Sequence, residues 1–103
     1  MASFNDLHLN IVRWGEARGI LKNSTAQAQF MKSVSEMGEI ADAVLKNDMA
    51  GVKDGVGDVV VCHIMMCAIM DIDYVDCIEH AWNEIKDRKG HMNSNGVFVK
   101  DAA

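Results

Sequence analysis

The sequence contains no proline, only three cysteines, and few aromatic residues: two tryptophans, one tyrosine and three phenylalanines among 103 positions. Without proline, no residue in the chain interrupts a helix by removing a backbone donor. Apolar residues recur mainly with helical rather than alternating spacing. The first expectation is therefore an all-α fold.

Basic side chains are also scarce, with 10 Lys and Arg against 15 Asp and Glu and a net charge of −5. Binding to a nucleic-acid backbone relies on clustered Lys and Arg, so nucleic acid is not an expected partner. No segment reaches 18 uninterrupted apolar residues, and residues 1–6 lack a basic stretch followed by an apolar run. Neither a membrane span nor a signal peptide is expected, and the predicted location is cytoplasmic.

The cysteines Cys62, Cys67 and Cys77 are odd in number and have no CxxC spacing. They are interpreted as core thiols in a reducing compartment. A zinc site formed by Cys62, His63 and Cys67 is excluded, because about 100° of rotation per helical residue directs the two thiols apart.

Capping residues and apolar spacing predict four helices in one domain, residues 1–103, with residues 22–24 as a connector and residues 91–103 as a docked tail. The predicted helices cover approximately residues 3–19, 24–46, 49–70 and 73–90. The third is apolar on every side and should be central. On the second helix, a stripe should face the core; it comprises Phe30, Val34, Met37, Ala41 and Val44.

Acidic residues on the second and third helices are candidate metal ligands. Glu36 and Glu39 are three residues apart, which places them about 5–6 Å apart on one helical face, and Mg²⁺ prefers such carboxylate oxygens. Most acidic pairs with this spacing are solvated surface residues, and Lys32, one turn before Glu36, is an ordinary ion-pair partner for them. Asp58, with Asp54 one turn earlier, interrupts an apolar helix and would need a cation, a donor or a raised pKa if buried. Alternatively, both lie at the exposed start of that helix.

These acids stand in the segments Ser35-Glu36-Met37-Gly38-Glu39 and Lys53-Asp54-Gly55-Val56-Gly57-Asp58. The chain, from about Trp14 to Lys100, resembles the MazG-like all-α nucleotide pyrophosphohydrolases, especially their short phage forms, whose two helices bear E-E-x-x-E and E-x-x-D. Glu36, Glu39 and Asp58 match family metal ligands. Ser35 and Gly55 depart from the pattern, and Asp54 is a hypothetical replacement for the acid missing at Gly55.

The resemblance implies a helical bundle that forms a homodimer or homotetramer and hydrolyses (deoxy)nucleoside triphosphates to monophosphate and pyrophosphate. It implies Mg²⁺, with Mn²⁺ as a substitute, and Glu36 or Glu39 as the catalytic base. Candidate substrate contacts are Lys32, Lys89, Asn95 and Lys100, with Trp14 as a stacking platform. Trp14 in the core and Lys89 as a solvated helix end are the simpler structural interpretations.

Two other functions remain open. One is phosphoribosyl-ATP pyrophosphohydrolase activity, although the segment from Asn95 to Lys100 favours the MazG form. The other is a non-catalytic helical module that pairs with a partner, which the eight methionines and the missing acid at Gly55 would suit.

Overall fold

The computed structural model describes residues 1–102 and confirms the all-α fold. Within those residues, five helices precede a small antiparallel hairpin: α1 (Phe4–Ala17), α2 (Ile20–Asn23), α3 (Ala26–Leu45), α4 (Met49–Ile69), α5 (Tyr74–Ile85), β1 (Gly90–Met92) and β2 (Phe98–Lys100). The short α2 occupies most of the predicted connector. Helix α5 ends at Ile85, earlier than predicted, so the basic residues after it lie outside the helix.

Each of the four longer helices begins at a side-chain cap. Ser3 and Asp6 form a capping box on α1. The other caps each accept one backbone N–H: Thr25 from Ala28 at 3.1 Å, Asp48 from Gly51 at 3.0 Å and Asp73 from Val75 at 2.8 Å. These hydrogen bonds satisfy backbone N–H groups of the first helical turn, which have no partner inside the helix. Residues of this kind are preferred as N-caps, so the sequence predicts where these helices begin.

Helix α4 is central, as predicted, and contacts all four other helices. Its residues Cys62, Ile64, Met65 and Cys67 are buried. No single helix in residues 1–102 is both long and apolar enough to cross a bilayer; α4 and α5 meet that test only when taken together across a bend of 106°. Cys77, on α5, is exposed, so the prediction of a core thiol is wrong for that residue.

Small residues bring α3 and α4 close together as an antiparallel pair. Ser33 and Ala43 are the buried residues of α3. Gly55 of α4 is buried, and a Cβ there would lie 2.5 Å from Cγ1 of Ile40. A side chain at position 55 therefore has no room, and this close approach offsets the cost of glycine inside a helix.

The predicted core stripe of α3 is the main error of the sequence analysis. Its residues are exposed on the surface of the single chain: Phe30 is 48% exposed, Met37 44% and Val44 55%. The face that packs on α4 instead carries Ser33, Ile40 and Ala43. Close helix approach requires small residues at the contact, so the larger apolar side chains are left uncovered.

The tail prediction is also partly wrong. Asn95-Gly96 forms a turn, with Gly96 at a φ of +79°, between two short paired strands. Neither strand contacts any of the five helices, however, so the hairpin projects from the helical body rather than docking on it.

Candidate active site

A cavity of about 390 Å³ opens between the second half of α3 and the first half of α4. It carries five carboxylates and one lysine among its lining residues, which are Glu39, Asp42, Ala43, Lys46, Asp48, Gly51, Asp54, Gly55 and Asp58. A strongly acidic concavity of this kind attracts cations, or anions that arrive with a cation.

Helical spacing explains the gathering of acids. Glu39 and Asp42 are three residues apart on α3, while Asp54 and Asp58 are four apart on α4, so each pair lies along one face of its helix. The close contact at Gly55 sets these two faces beside each other. Asp54 and Asp58 are exposed at the cavity rim, so Asp58 is not the buried carboxylate considered from sequence.

Glu36 lies next to this cavity without lining it, and it is half-buried. Its pKa is raised above the ordinary value of 4.5, first by a side-chain hydrogen bond with Glu39, then by partial burial and by the negative charges of Glu39 and Asp58. The positive charge of Lys32 acts in the opposite direction. Glu36, Glu39, Asp58 and Lys32 therefore form one electrostatic cluster, and its negative charge is not balanced.

The donor chemistry of the cluster fits a hard divalent cation, since Mg²⁺ prefers carboxylate oxygens together with substrate phosphates and water. Within residues 1–102, no group of three His, Cys, Asp or Glu side chains is close enough to coordinate the same metal ion. Repulsion between like charges favours such a spread arrangement.

The remaining predicted contacts do not line the cavity. Trp14 is 44% exposed on α1, so it is neither in the core nor beside the acids. Lys89 precedes β1, Asn95 lies in the hairpin turn and Lys100 ends β2.

Sequence reasoning missed three charged residues of the cavity: Asp42, Lys46 and Asp48. Asp42 carried a usable signal, because it stands three residues after Glu39 and therefore on the same helical face. Asp48 lies between the second and third predicted helices, and in the structure it caps α4 and lines the cavity.

Comparisons with known proteins found one matching family and one curated relative. The family described as the MazG nucleotide pyrophosphohydrolase domain matches residues 25–93, which include α3, α4 and α5. The chain is 35% identical over 78 residues to an uncharacterized 18.2 kDa protein in the rep-hol intergenic region of Haemophilus phage HP1. That alignment covers 76% of this chain and 46% of the relative, so the chain spans about half the length of the curated relative it matches. No solved structure matches the chain. The chain belongs to the MazG nucleotide pyrophosphohydrolase domain family.

Proposed function

We propose that this protein hydrolyses (deoxy)nucleoside triphosphates to nucleoside monophosphate and pyrophosphate in a reaction that depends on Mg²⁺, or on Mn²⁺ as a substitute. One observation carries the proposal: acids from two neighbouring helices, Glu39 on α3 with Asp54 and Asp58 on α4, line a single open cavity. Family membership supports pyrophosphohydrolase activity in general.

In this proposal, Glu36, Glu39, Asp54 and Asp58 would hold the ion. When bound, Mg²⁺ supplies positive charge that offsets the charge of the phosphate oxygens. Glu39 orients a water molecule toward the α-phosphorus and accepts its proton. A new P–O bond forms to the water oxygen, the bond between the α-phosphorus and the bridging oxygen breaks, and pyrophosphate leaves with the electron pair.

The proposed binding surface for the nucleoside lies next to the acids. An apolar groove of about 520 Å³ runs between α1 and α4, and Asp54 and Asp58 line it as well as the acidic cavity. Its apolar walls include Phe4, Leu7 and Val61. Because ligand sites combine apolar walls with a few polar groups, we place the base in this groove rather than on Trp14.

The chain is proposed to act as a homodimer, or as a tetramer built from dimers. It exposes 7837 Å², whereas a compact monomer of this size exposes about 5,700 Å². Its radius of gyration is 16.3 Å, against about 13 Å for a compact chain of this length. The excess of roughly 2,100 Å² is enough for one side of a stable interface, and the uncovered α3 stripe provides apolar area for it.

The test is to incubate the purified protein with Mg²⁺ and each common NTP and dNTP, with phosphoribosyl-ATP as a separate substrate, and to measure pyrophosphate. We expect pyrophosphate from at least one nucleoside triphosphate and almost none from the Glu39→Gln variant with its fold intact. Glu79→Gln, at an exposed acid of α5, is the matched control and should retain activity. Retained turnover in Glu39→Gln would refute its catalytic role.

A catalytically degenerate binding module is the second candidate, and Gly55 favours it, because a carboxylate has no room at that position. The two candidates differ in their response to metal. A hydrolase should be stabilised by Mg²⁺ and release pyrophosphate, whereas a degenerate module should show neither effect.

A further inference from the structure

The corner between α4 and α5 brings two of the three cysteines toward each other. Cys67 lies in the last turn of α4, and Cys77 is the fourth residue of α5. Residues 70–73 join the two helices, which contact each other and differ in direction by 106°. Because each cysteine is within about one turn of the corner, their side chains are in reach of each other across its inner side.

Hydrogen bonds fix the backbone on both sides of this corner. At the end of α4, the N–H of Ile72 donates to the Cys67 carbonyl at 2.8 Å, and Asp71 has a left-handed φ of +59°. At the start of α5, the Asp73 side chain accepts from the N–H of Val75 at 2.8 Å. Caps of this kind restrict the helical turns next to them. The two turns that carry the thiols are therefore held in place.

The thiols of Cys67 and Cys77 are close enough to hydrogen-bond, and they differ in exposure. The pKa of Cys67 is raised above its ordinary value of 9.0, first by burial, then by the charge of Cys77 and by the hydrogen bond between the two side chains. The pKa of Tyr74 is raised above 10.0, first by burial and then by the charges of both cysteines, so the tyrosine lies beside the pair. Cys67 is only 6% exposed, whereas Cys77 is exposed. A reagent in solvent therefore reaches Cys77 first.

We propose that Cys77 and Cys67 form a reversible modification site for low-molecular-weight disulfides, at which reaction ends in a disulfide bond between α5 and α4. The Cys77 thiolate attacks one sulfur of the reagent, which forms a mixed disulfide and releases one thiolate of the reagent. Cys67 then loses its proton to water and attacks the Cys77 sulfur, and the bond between Cys77 and the reagent breaks and releases the second thiolate. Two protein thiols are oxidised, and the reagent disulfide is reduced to two thiols.

The arrangement of the pair favours the internal bond over a lasting mixed disulfide. An accessible cysteine with a second, resolving cysteine beside it is typical of thiol sites that respond to oxidants. Two groups held in contact also react with each other far more readily than with a dilute reagent. Asp58 stands nine residues before Cys67 on α4, or about 14 Å along the helix, so the site is separate from the acidic cavity. The inference therefore does not depend on the proposed function.

The test is to incubate the reduced full-length protein with about 1 mM oxidised glutathione at about pH 8, to quench in acid and to map the disulfides by mass spectrometry. Cleavage after methionine with cyanogen bromide separates the three cysteines into fragments 50–65, 67–70 and 71–92. We expect fragments 67–70 and 71–92 to be joined within one chain, and the glutathione adduct to be less than about a tenth as abundant. Fragment 50–65, with the buried Cys62, should stay reduced. No link, a link between two chains, or an accumulating adduct would overturn the proposal.

Single cysteine variants separate the two steps. Cys67→Ala should stop at the mixed disulfide and gain one glutathione on Cys77, while Cys77→Ala should gain none, because its remaining thiols are buried. Cys62→Ala, at the other buried cysteine of α4, is the matched control and should form the internal bond as wild type does. Cys77→Ala changes an exposed residue, so it decides the order of attack even if Cys67→Ala does not fold. Modification of Cys77→Ala at the wild-type rate would contradict that order.

The thermal midpoint reports whether the native corner accepts the bond. Cys67 and Cys77 are ten residues apart, and closing a loop of that length restricts the unfolded chain. Oxidised wild type should therefore unfold at a Tm at least about 5 °C above that of the reduced protein at the same concentration, and a dithiol reductant should reverse the shift. Cys77→Ala treated with the same reagent should show no shift. An equal or lower Tm in the oxidised protein would mean that the bond distorts the corner, and the proposal would be wrong.

Discussion

Replacing Gly55 and Gly57 by alanine, one at a time, measures how closely α3 and α4 pack. Both glycines are inside α4 and only two residues apart. A Cβ at position 55 would lie 2.5 Å from Cγ1 of Ile40, while a Cβ at position 57 meets nothing within 4 Å. The two substitutions thus share the same gain in helix propensity and differ in the steric contact.

The magnitudes follow from these contacts. Alanine is favoured over glycine inside a helix by about 1 kcal/mol, so Gly57→Ala should raise the free energy of unfolding by about that amount. At position 55 the same gain opposes overpacking against Ile40, which costs about 1–3 kcal/mol. The difference between the variants removes the shared propensity effect, so Gly55→Ala should be less stable than Gly57→Ala by about 1–3 kcal/mol.

Urea unfolding at one fixed protein concentration is the assay, because the stability of an oligomer depends on concentration. Adding Ile40→Ala to Gly55→Ala should restore part of the loss, and the double-mutant cycle gives the coupling energy. If Gly55→Ala is as stable as Gly57→Ala, or if the cycle shows no coupling, the close-packing argument is wrong.

Three further predictions concern the site and the assembly. The raised pKa of Glu36 means that the folded state binds the proton of this carboxyl group more tightly than the unfolded state does. Protonated Glu36 therefore stabilises the fold at low pH, and this contribution is lost as pH rises through the raised pKa. Thermal unfolding should therefore show Glu36→Gln gaining stability over wild type as pH rises above 4.5, and an equal difference at acid and neutral pH would contradict this. Asp54→Asn should abolish pyrophosphate release if Asp54 replaces the acid missing at Gly55, whereas full activity would exclude that role. Val34→Asp, in the α3 stripe, should reduce the mass measured by light scattering to that of a monomer while the helical circular dichroism is kept; an unchanged mass would exclude the stripe from the interface.

The sequence alone predicted the helices well because their signals are local. Ser3, Thr25, Asp48 and Asp73 cap helices through bonds to backbone groups two or three residues away, and such contacts depend on nothing distant in the chain. The apolar run of α4 predicted a central helix for a similar reason, since a helix without a polar face has to be covered on several sides. The acids at i, i+3 and i, i+4 were recognisable as face-sharing pairs from spacing alone.

Only the tertiary structure decided which face of α3 is covered. Periodicity shows that Phe30, Val34 and Met37 share a side, but it does not show whether that side meets the same chain or stays open. The small residues Ser33 and Ala43, with Gly55 opposite, allowed α4 to approach on a different side. The same packing placed Lys46 and Asp48 at the cavity and left the hairpin of β1 and β2 away from the helices. Both outcomes depend on how distant helices are oriented, and residue spacing does not encode that orientation.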